Sequence, residues 1–277
     1  MTDRWPADGW QTADRRRQLA GLIWSAEVDA MVFEKDFYVG YSDVDERYEL
    51  TNKSILRFLQ DAACVQSVKI GDSQNTRSMM WFILSYRVDV FRRPIYDDTI
   101  RIRTWARHFN GPFAVREFEI VNEAGEVVAK AVSNWGRING NTRKLQDMDE
   151  DIVRKYEPEP DRTNYEGDGW LQKLHVPETN ANSRLIYIDR NFIDANHHMN
   201  NIFYMDIVSM TMPEWLFRAP QADTFEIMFR RANNYGETVQ CHYAEEPDAH
   251  VIYINSEDDT QLRTVIRLHR SKREMPY

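Results

Sequence analysis

The chain repeats itself, and that restricts it to a fold built from two copies of one unit in tandem. Val90-Phe-Arg-Arg-Pro-Ile-Tyr-Asp-Asp-Thr-Ile100 and Met228-Phe-Arg-Arg-Ala-Asn-Asn-Tyr-Gly-Glu-Thr-Val239 follow one pattern. Both run apolar, Phe, Arg, Arg, short polar loop, Tyr, acid, Thr, β-branched. Phe91 and Phe229 lie 138 positions apart, and the second copy has one extra loop residue. A weaker match sets Tyr41-Ser-Asp43 beside Tyr187-Ile-Asp189, 146 positions apart, each ahead of an apolar helix (Ile55–Val65 and Ile202–Met212). Two matches in the same order and at nearly the same spacing argue for a duplicated domain. The length of 277 residues accommodates two domains of roughly 110–140 residues each.

Each copy reads as strand, turn, helix, then a run of strands. In the first, Thr51 or Asn52 caps a helix whose apolar residues, Ile55, Leu56, Leu59, Ala62 and Ala63, recur at helical spacing. Strands are predicted at Trp81–Phe91, Thr99–Arg107, Ala114–Asn122 and Val127–Ile138, the last two joined by a hairpin turn at Asn122–Glu126. In the second, Asn200 or Asn201 caps a helix apolar on most sides, which predicts burial all round. Strands follow at Glu226–Phe229, Thr238–Ala244, His250–Ser256 and Gln261–His269. A helix buried on every face, followed by antiparallel strands, requires a sheet that curls around it. The expected class is α+β, with two tandem hotdog domains, each an antiparallel sheet wrapped around a long helix. The expected limits are an N-terminal extension, partly helical, at 1–33; a first domain at 34–145; a connector at 146–183; and a second domain at 184–277.

Composition excludes several classes. The formal net charge is −9, and residues 147–170 hold nine acids against three bases, so the connector carries most of it. Nucleic-acid binders show a basic face, and none is evident. Two cysteines, Cys64 and Cys241, make neither a disulfide framework nor a zinc site. No apolar run approaches the roughly 18 residues of a membrane helix, and residues 1–10 lack the apolar stretch of a signal peptide. A cytoplasmic protein without metal or cofactor is the expectation.

The chemistry is carried by Asp194-Ala-Asn-His-His-Met-Asn-Asn201, immediately ahead of the second apolar helix. Asp and Asn at such a place are ordinary caps and turn formers. At this spacing, however, the stretch resembles the Asp-x-Asn-x-His-x-Asn-Asn signature of the acyl-acyl-carrier-protein (acyl-ACP) thioesterases. The resemblance runs from about Phe33 to Leu268 and includes Phe82-Ile-Leu-Ser-Tyr-Arg87, Phe118-Glu-Ile-Val-Asn-Glu-Ala-Gly-Glu-Val127 and the pair Arg230-Arg231. It implies tandem hotdog domains that hydrolyse fatty acyl thioesters, with Asp194, Asn196 and His198 in the catalytic positions. The residue types suit that task. Asn196 can donate to a developing oxyanion, His198 can take a proton from water near neutral pH, and Asp194 can orient either. His197, one position off, would point elsewhere.

The sequence departs from the family after the Arg-Arg pair, where a Glu, followed in plant forms by Cys, is usual. Here Ala232 and Asn233 stand instead, and Asn233 is the candidate for holding a water. Glu237 lies on the far side of the loop. The first copy reads Asp43-Val-Asp-Glu-Arg-Tyr-Glu-Leu50 at the matching turn, so one domain carries the site and the other shapes an acyl pocket, with Met79–Phe82 as wall candidates. The implied partner is an acyl carrier protein bearing a fatty acyl chain. It is acidic and would meet the basic cluster Arg263, Arg267, Arg270, Lys272 and Arg273, or Arg92, Arg93 and Arg15–Arg17. Pairing of two chains is left open. The alternatives are a degenerate acyl-thioester binding protein and a hotdog acyl-CoA thioesterase or hydratase.

Overall fold

The computed structural model describes residues 32–72, 79–167 and 173–271. The expected N-terminal helix, Arg15–Arg17, Lys272 and Arg273 lie outside these. Among the described residues, strands β1 (Phe33–Tyr38), β2 (Met79–Val90), β3 (Thr99–Asn110), β4 (Phe113–Val121) and β5 (Val127–Asn139) form the first half of the sheet. The second half comprises β6 (Asn182–Tyr187), β7 (Thr224–Phe229), β8 (Thr238–Glu245), β9 (Ala249–Ser256) and β10 (Leu262–His269). All ten join one antiparallel sheet in the order β1-β3-β4-β5-β2-β7-β10-β9-β8-β6. Read outward from the β2–β7 seam, the two halves carry the same order, which is the duplication in three dimensions.

Helix α1 (Asn52–Lys69) starts at Thr51, whose hydroxyl accepts from the Ser54 N–H at 3.1 Å, so Thr51 rather than Asn52 is the cap. Its apolar face, Ile55, Leu56, Phe58, Leu59 and Ala62, is no more than 1% exposed. In the second half Asn200 is the cap. Its Oδ1 accepts from the Ile202 N–H at 3.1 Å, and a 3₁₀ turn (Asn201–Phe203) leads into α3 (Tyr204–Thr211). The expectation that this helix is buried all round is corrected. Ser209 and Met210, near its C-terminal end, are exposed. Two short helices were not foreseen: α2 (Glu150–Tyr156), inside the stretch read as connector, and α4 (Glu214–Phe217).

The core is continuous across the seam, with Phe58, Phe118, Tyr204 and Phe225 at most 1% exposed. At one place in the first half the packing tolerates no side chain. A Cβ on Gly136 of β5 would sit 2.3 Å from Phe82 Cζ on β2.

The register of the repeat also needs correcting. Val44 bridges Leu50, and Ile193 bridges Met199. The Leu50 N–H donates to Pro94 O at 2.8 Å, and the Met199 N–H to Asn233 O at 2.9 Å. These contacts superpose residues 44–50 on 193–199, a spacing of 149, so Tyr38 and not Tyr41 is the counterpart of Tyr187. They also make Ala232 the counterpart of Arg93, one step off the Phe-on-Phe match. Tyr41 and Tyr187 carry the same side chain at positions whose backbones are not equivalent.

Candidate active site

The motif forms a closed turn at the entrance to α3. The Asp194 N–H donates to His198 O at 2.9 Å and the His197 N–H to Asp194 O at 3.0 Å, while Asp194 Oδ1 accepts from the Asn196 N–H at 2.8 Å. The turn requires a left-handed residue, and His197 takes it at φ 63°. Asp194, Asn196 and His198 are half-buried, whereas Ala195 and His197 are exposed. The structure therefore brings Asp194, Asn196 and His198 to one short turn and leaves His197 in solvent. Among the described residues neither the Asn196 amide nor the His198 imidazole has a hydrogen-bond partner, so both are available to a ligand.

Burial holds the His198 imidazole below the usual histidine range, and the charge of Arg143, in the loop after β5 of the other half, pushes the same way. Asp194 and Glu237 oppose this without cancelling it. Glu237, set aside from sequence, thus lies in the field of His198. Its carboxylate is tied to Arg263 and to the Asn234 N–H. Arg143 was missed altogether, and no local signal marks it, because its relation to His198 exists only after the halves join.

Asn233 is placed differently from what a water holder requires. It is completely buried. Its Nδ2 donates to the Tyr204 hydroxyl at 3.1 Å, its Oδ1 accepts from Arg263 at 3.0 Å, and its carbonyl holds Met199. Both side-chain atoms are engaged within the fold, which anchors the base of the turn.

Cys64 lines a small cavity of about 30 Å³ with Ala63, Trp81, Phe109, Trp135 and Tyr156. That is room for little more than one water, so a chain entering here must move its walls. Trp81 is the member of the Met79–Phe82 run that reaches it. Burial pushes the Cys64 thiol up, and that of Cys241 to about 12, so neither is poised as a nucleophile.

The first half contains a twin of the turn. Asp45 Oδ1 accepts from the Arg47 N–H at 2.9 Å, the Asp45 N–H donates to Glu49 O at 2.9 Å, and Tyr48 has φ 61°. Where the second half has Asn196 and His198, this copy has Arg47 and Glu49. Arg47 spans to Arg218 O at 2.6 Å across a cleft of about 830 Å³.

The expected basic face is corrected. Arg263 pairs with Glu237 ahead of β8, Arg267 with Glu246 and Asp248 in the β8–β9 turn, and Arg270 with Glu245 at the end of β8. Arg92 pairs with Glu126, and Arg93 is buried, donating to Leu50 O and Ala222 O. Among the described residues there is no cluster of His, Cys, Asp and Glu that could hold a metal, and no helix long and apolar enough to cross a membrane.

Two family models match the chain: the acyl-ACP thioesterase N-terminal domain over residues 30–156 and the C-terminal domain over residues 177–275. Among curated proteins, oleoyl-acyl carrier protein thioesterase 1, chloroplastic, of Arabidopsis thaliana is 24% identical over 227 residues, covering 76% of this chain and 62% of that one. Dodecanoyl-[acyl-carrier-protein] hydrolase, chloroplastic, of Cinnamomum camphora is 27% identical over 221 residues, covering 73% and 56%. The chain thus spans under two thirds of these relatives' lengths. Among solved structures, the 12:0-ACP thioesterase from Umbellularia californica has a TM-score of 0.75 at 19% identity, covering 86% of this chain and 96% of that one. An acyl-ACP thioesterase from Bacteroides thetaiotaomicron has a TM-score of 0.75 at 18% identity, covering 86% and 97%. At such identities the likeness speaks for the fold, and it agrees with the hotdog halves described above.

Proposed function

We infer the activity of this chain from the family to which it belongs, the acyl-ACP thioesterases: it hydrolyses a fatty acyl thioester carried by an acyl carrier protein, releasing the free acid and the carrier thiol. The observation that carries this reading is the turn Asp194–His198, which holds a half-buried amide and a half-buried imidazole, both without a partner among the described residues. In the proposed reaction a water attacks the thioester carbonyl, and His198 Nε2 or Nδ1 takes its proton. The tetrahedral oxyanion receives a hydrogen bond from the Asn196 amide. Collapse expels the thiolate, which recovers the proton from His198. Asp194 acts through the backbone by fixing the Asn196 N–H, and Asn233 acts by anchoring Met199, so both are positioning residues. The domain limits 34–145 and 184–277, with cytoplasmic operation on carrier-bound chains, complete this proposal.

The test is release of free thiol from an acyl carrier protein loaded with a medium or long acyl chain. Saturable acyl binding without thiol release would replace the hydrolase by a binding protein. The His198 environment predicts the pH dependence. A base works when neutral. A lowered imidazole pKa therefore places the acid limb of kcat/KM below 6.5, with activity lost as pH falls through it. Arg143→Gln removes a like charge, raises that pKa and shifts the limb to higher pH. A pH profile unchanged by the substitution would show that Arg143 does not act on the base.

A further inference from the structure

On the second half of the sheet, away from the turn, three side chains form a continuous hydrogen-bonded row. Ser183 on β6 and His242 on β8 are cross-strand neighbours. Ser183 Oγ lies 2.7 Å from His242 Nδ1, and His242 Nε2 lies 2.7 Å from Asp259 Oδ1 in the β9–β10 hairpin. His242 is 4% exposed and its ring stacks on Tyr253, with centroids 4.5 Å apart and planes at 20°. The imidazole therefore has one orientation. Asp259 is held there by a left-handed backbone, φ 60°, and by the Asn255 amide at 2.7 Å. That amide, ahead of the smaller effect of His242, keeps the Asp259 carboxyl below the usual carboxylate range.

The polarity is that of an activated serine. An ionised Asp259 fixes the imidazole proton on Nε2, so the Nδ1 lone pair faces the Ser183 hydroxyl. The Asn180 amide, 3.3 Å from Nδ1 and 3.2 Å from the Tyr253 hydroxyl, closes the row from the side, and its Oδ1 lies 3.3 Å from Ser183 Oγ. Ser183 itself is exposed on the outermost strand of this half. The Ile188 N–H bonds Glu237 O, and counting back in twos along the antiparallel ladder leaves the Ser183 N–H directed off the sheet edge. It is a donor placed to meet an oxyanion formed at its own side chain.

We propose that Ser183, His242 and Asp259 form a second nucleophilic centre, independent of the thioesterase site, that takes the acyl group of a small carboxylic ester. Ser183 Oγ bonds to the ester carbonyl carbon while its proton passes to His242 Nδ1. The tetrahedral adduct collapses, the C–O bond to the leaving alcohol breaks, and that alcohol takes the proton from His242. Water then releases the acid by the same route and restores the serine.

The probe is an ethyl fluorophosphonate, which serine attacks at phosphorus with loss of fluoride. Intact mass and peptide mapping are expected to show one phosphonyl group per chain, on Ser183, in the full chain and in the His198→Ala variant alike. Ser183→Ala should abolish the adduct and leave thioester hydrolysis unchanged. Asp259→Asn should slow labelling by about 10²-fold or more, the share of a lost base-orienting group. Asn accepts the left-handed backbone, and position 259 is half exposed, so this variant keeps its fold. Labelling elsewhere, no labelling of Ser183, or an Asp259→Asn rate equal to that of the parent each overturns the proposal, whatever the thioesterase assay gives.

Discussion

Replacing His198 by alanine is expected to lower kcat for thioester hydrolysis by about 10²–10⁴-fold, the range for loss of a positioned general base. His198 is half-buried and makes no side-chain hydrogen bond among the described residues, so no packed network depends on it. Its contribution to the turn is its carbonyl, which accepts from the Asp194 N–H and survives the substitution. Unfolding should therefore shift by no more than about 0.5 kcal/mol, as for substitutions away from structural features. The diagnostic result is a fall in kcat with chemical denaturation unchanged. Turnover close to that of the parent would mean that another group removes the proton, with Glu237 the first to be examined because its field reaches His198.

The largest effect on stability is expected at the seam. Phe225 on β7 is completely buried and faces Val88 of β2 in the ladder that joins the halves. Phe225→Ala removes a full aromatic side chain where the backbone is pinned on both sides, by β2 and by β10, so the site cannot collapse onto the void. Such a truncation costs about 3–5 kcal/mol. Because one core crosses the seam, both halves should melt together. Denaturant titration followed by tryptophan fluorescence and by circular dichroism should give coincident curves, displaced equally in the variant. A cost below about 1 kcal/mol, or two separated transitions, would show that the halves are independent.

The sequence made the repeat, the succession of strands along each copy and the motif turn legible because these are local. Strands at Thr99, Val127 and Thr238 begin where β-branched residues resume after a turn, and Asn200 is a cap because its own side chain reaches two residues on. What escaped was set by partners distant in sequence. Arg263, Arg267 and Arg270 read as a positive face because their carboxylates sit in the loop ahead of β8, in the β8–β9 turn and at the end of β8, far away along the chain. Asn233 reads as a water holder in sequence, but Tyr204 and Arg263, 29 and 30 residues away along the chain, occupy its amide. Arg143 carries no motif at all. The true register of the duplication was hidden because the backbone of 44–50 repeats that of 193–199 while most of the residue types differ.

That twin turn has a consequence for how such a molecule can change. In a pair of identical subunits, every substitution strikes both turns at once, so neither can abandon its chemistry. Fused in one polypeptide, the copy at 44–50 was released from that constraint. Arg47 there ties to the Arg218 carbonyl. One molecule should accordingly consume a single equivalent of a tight transition-state mimic, within a frame whose symmetry would suggest two.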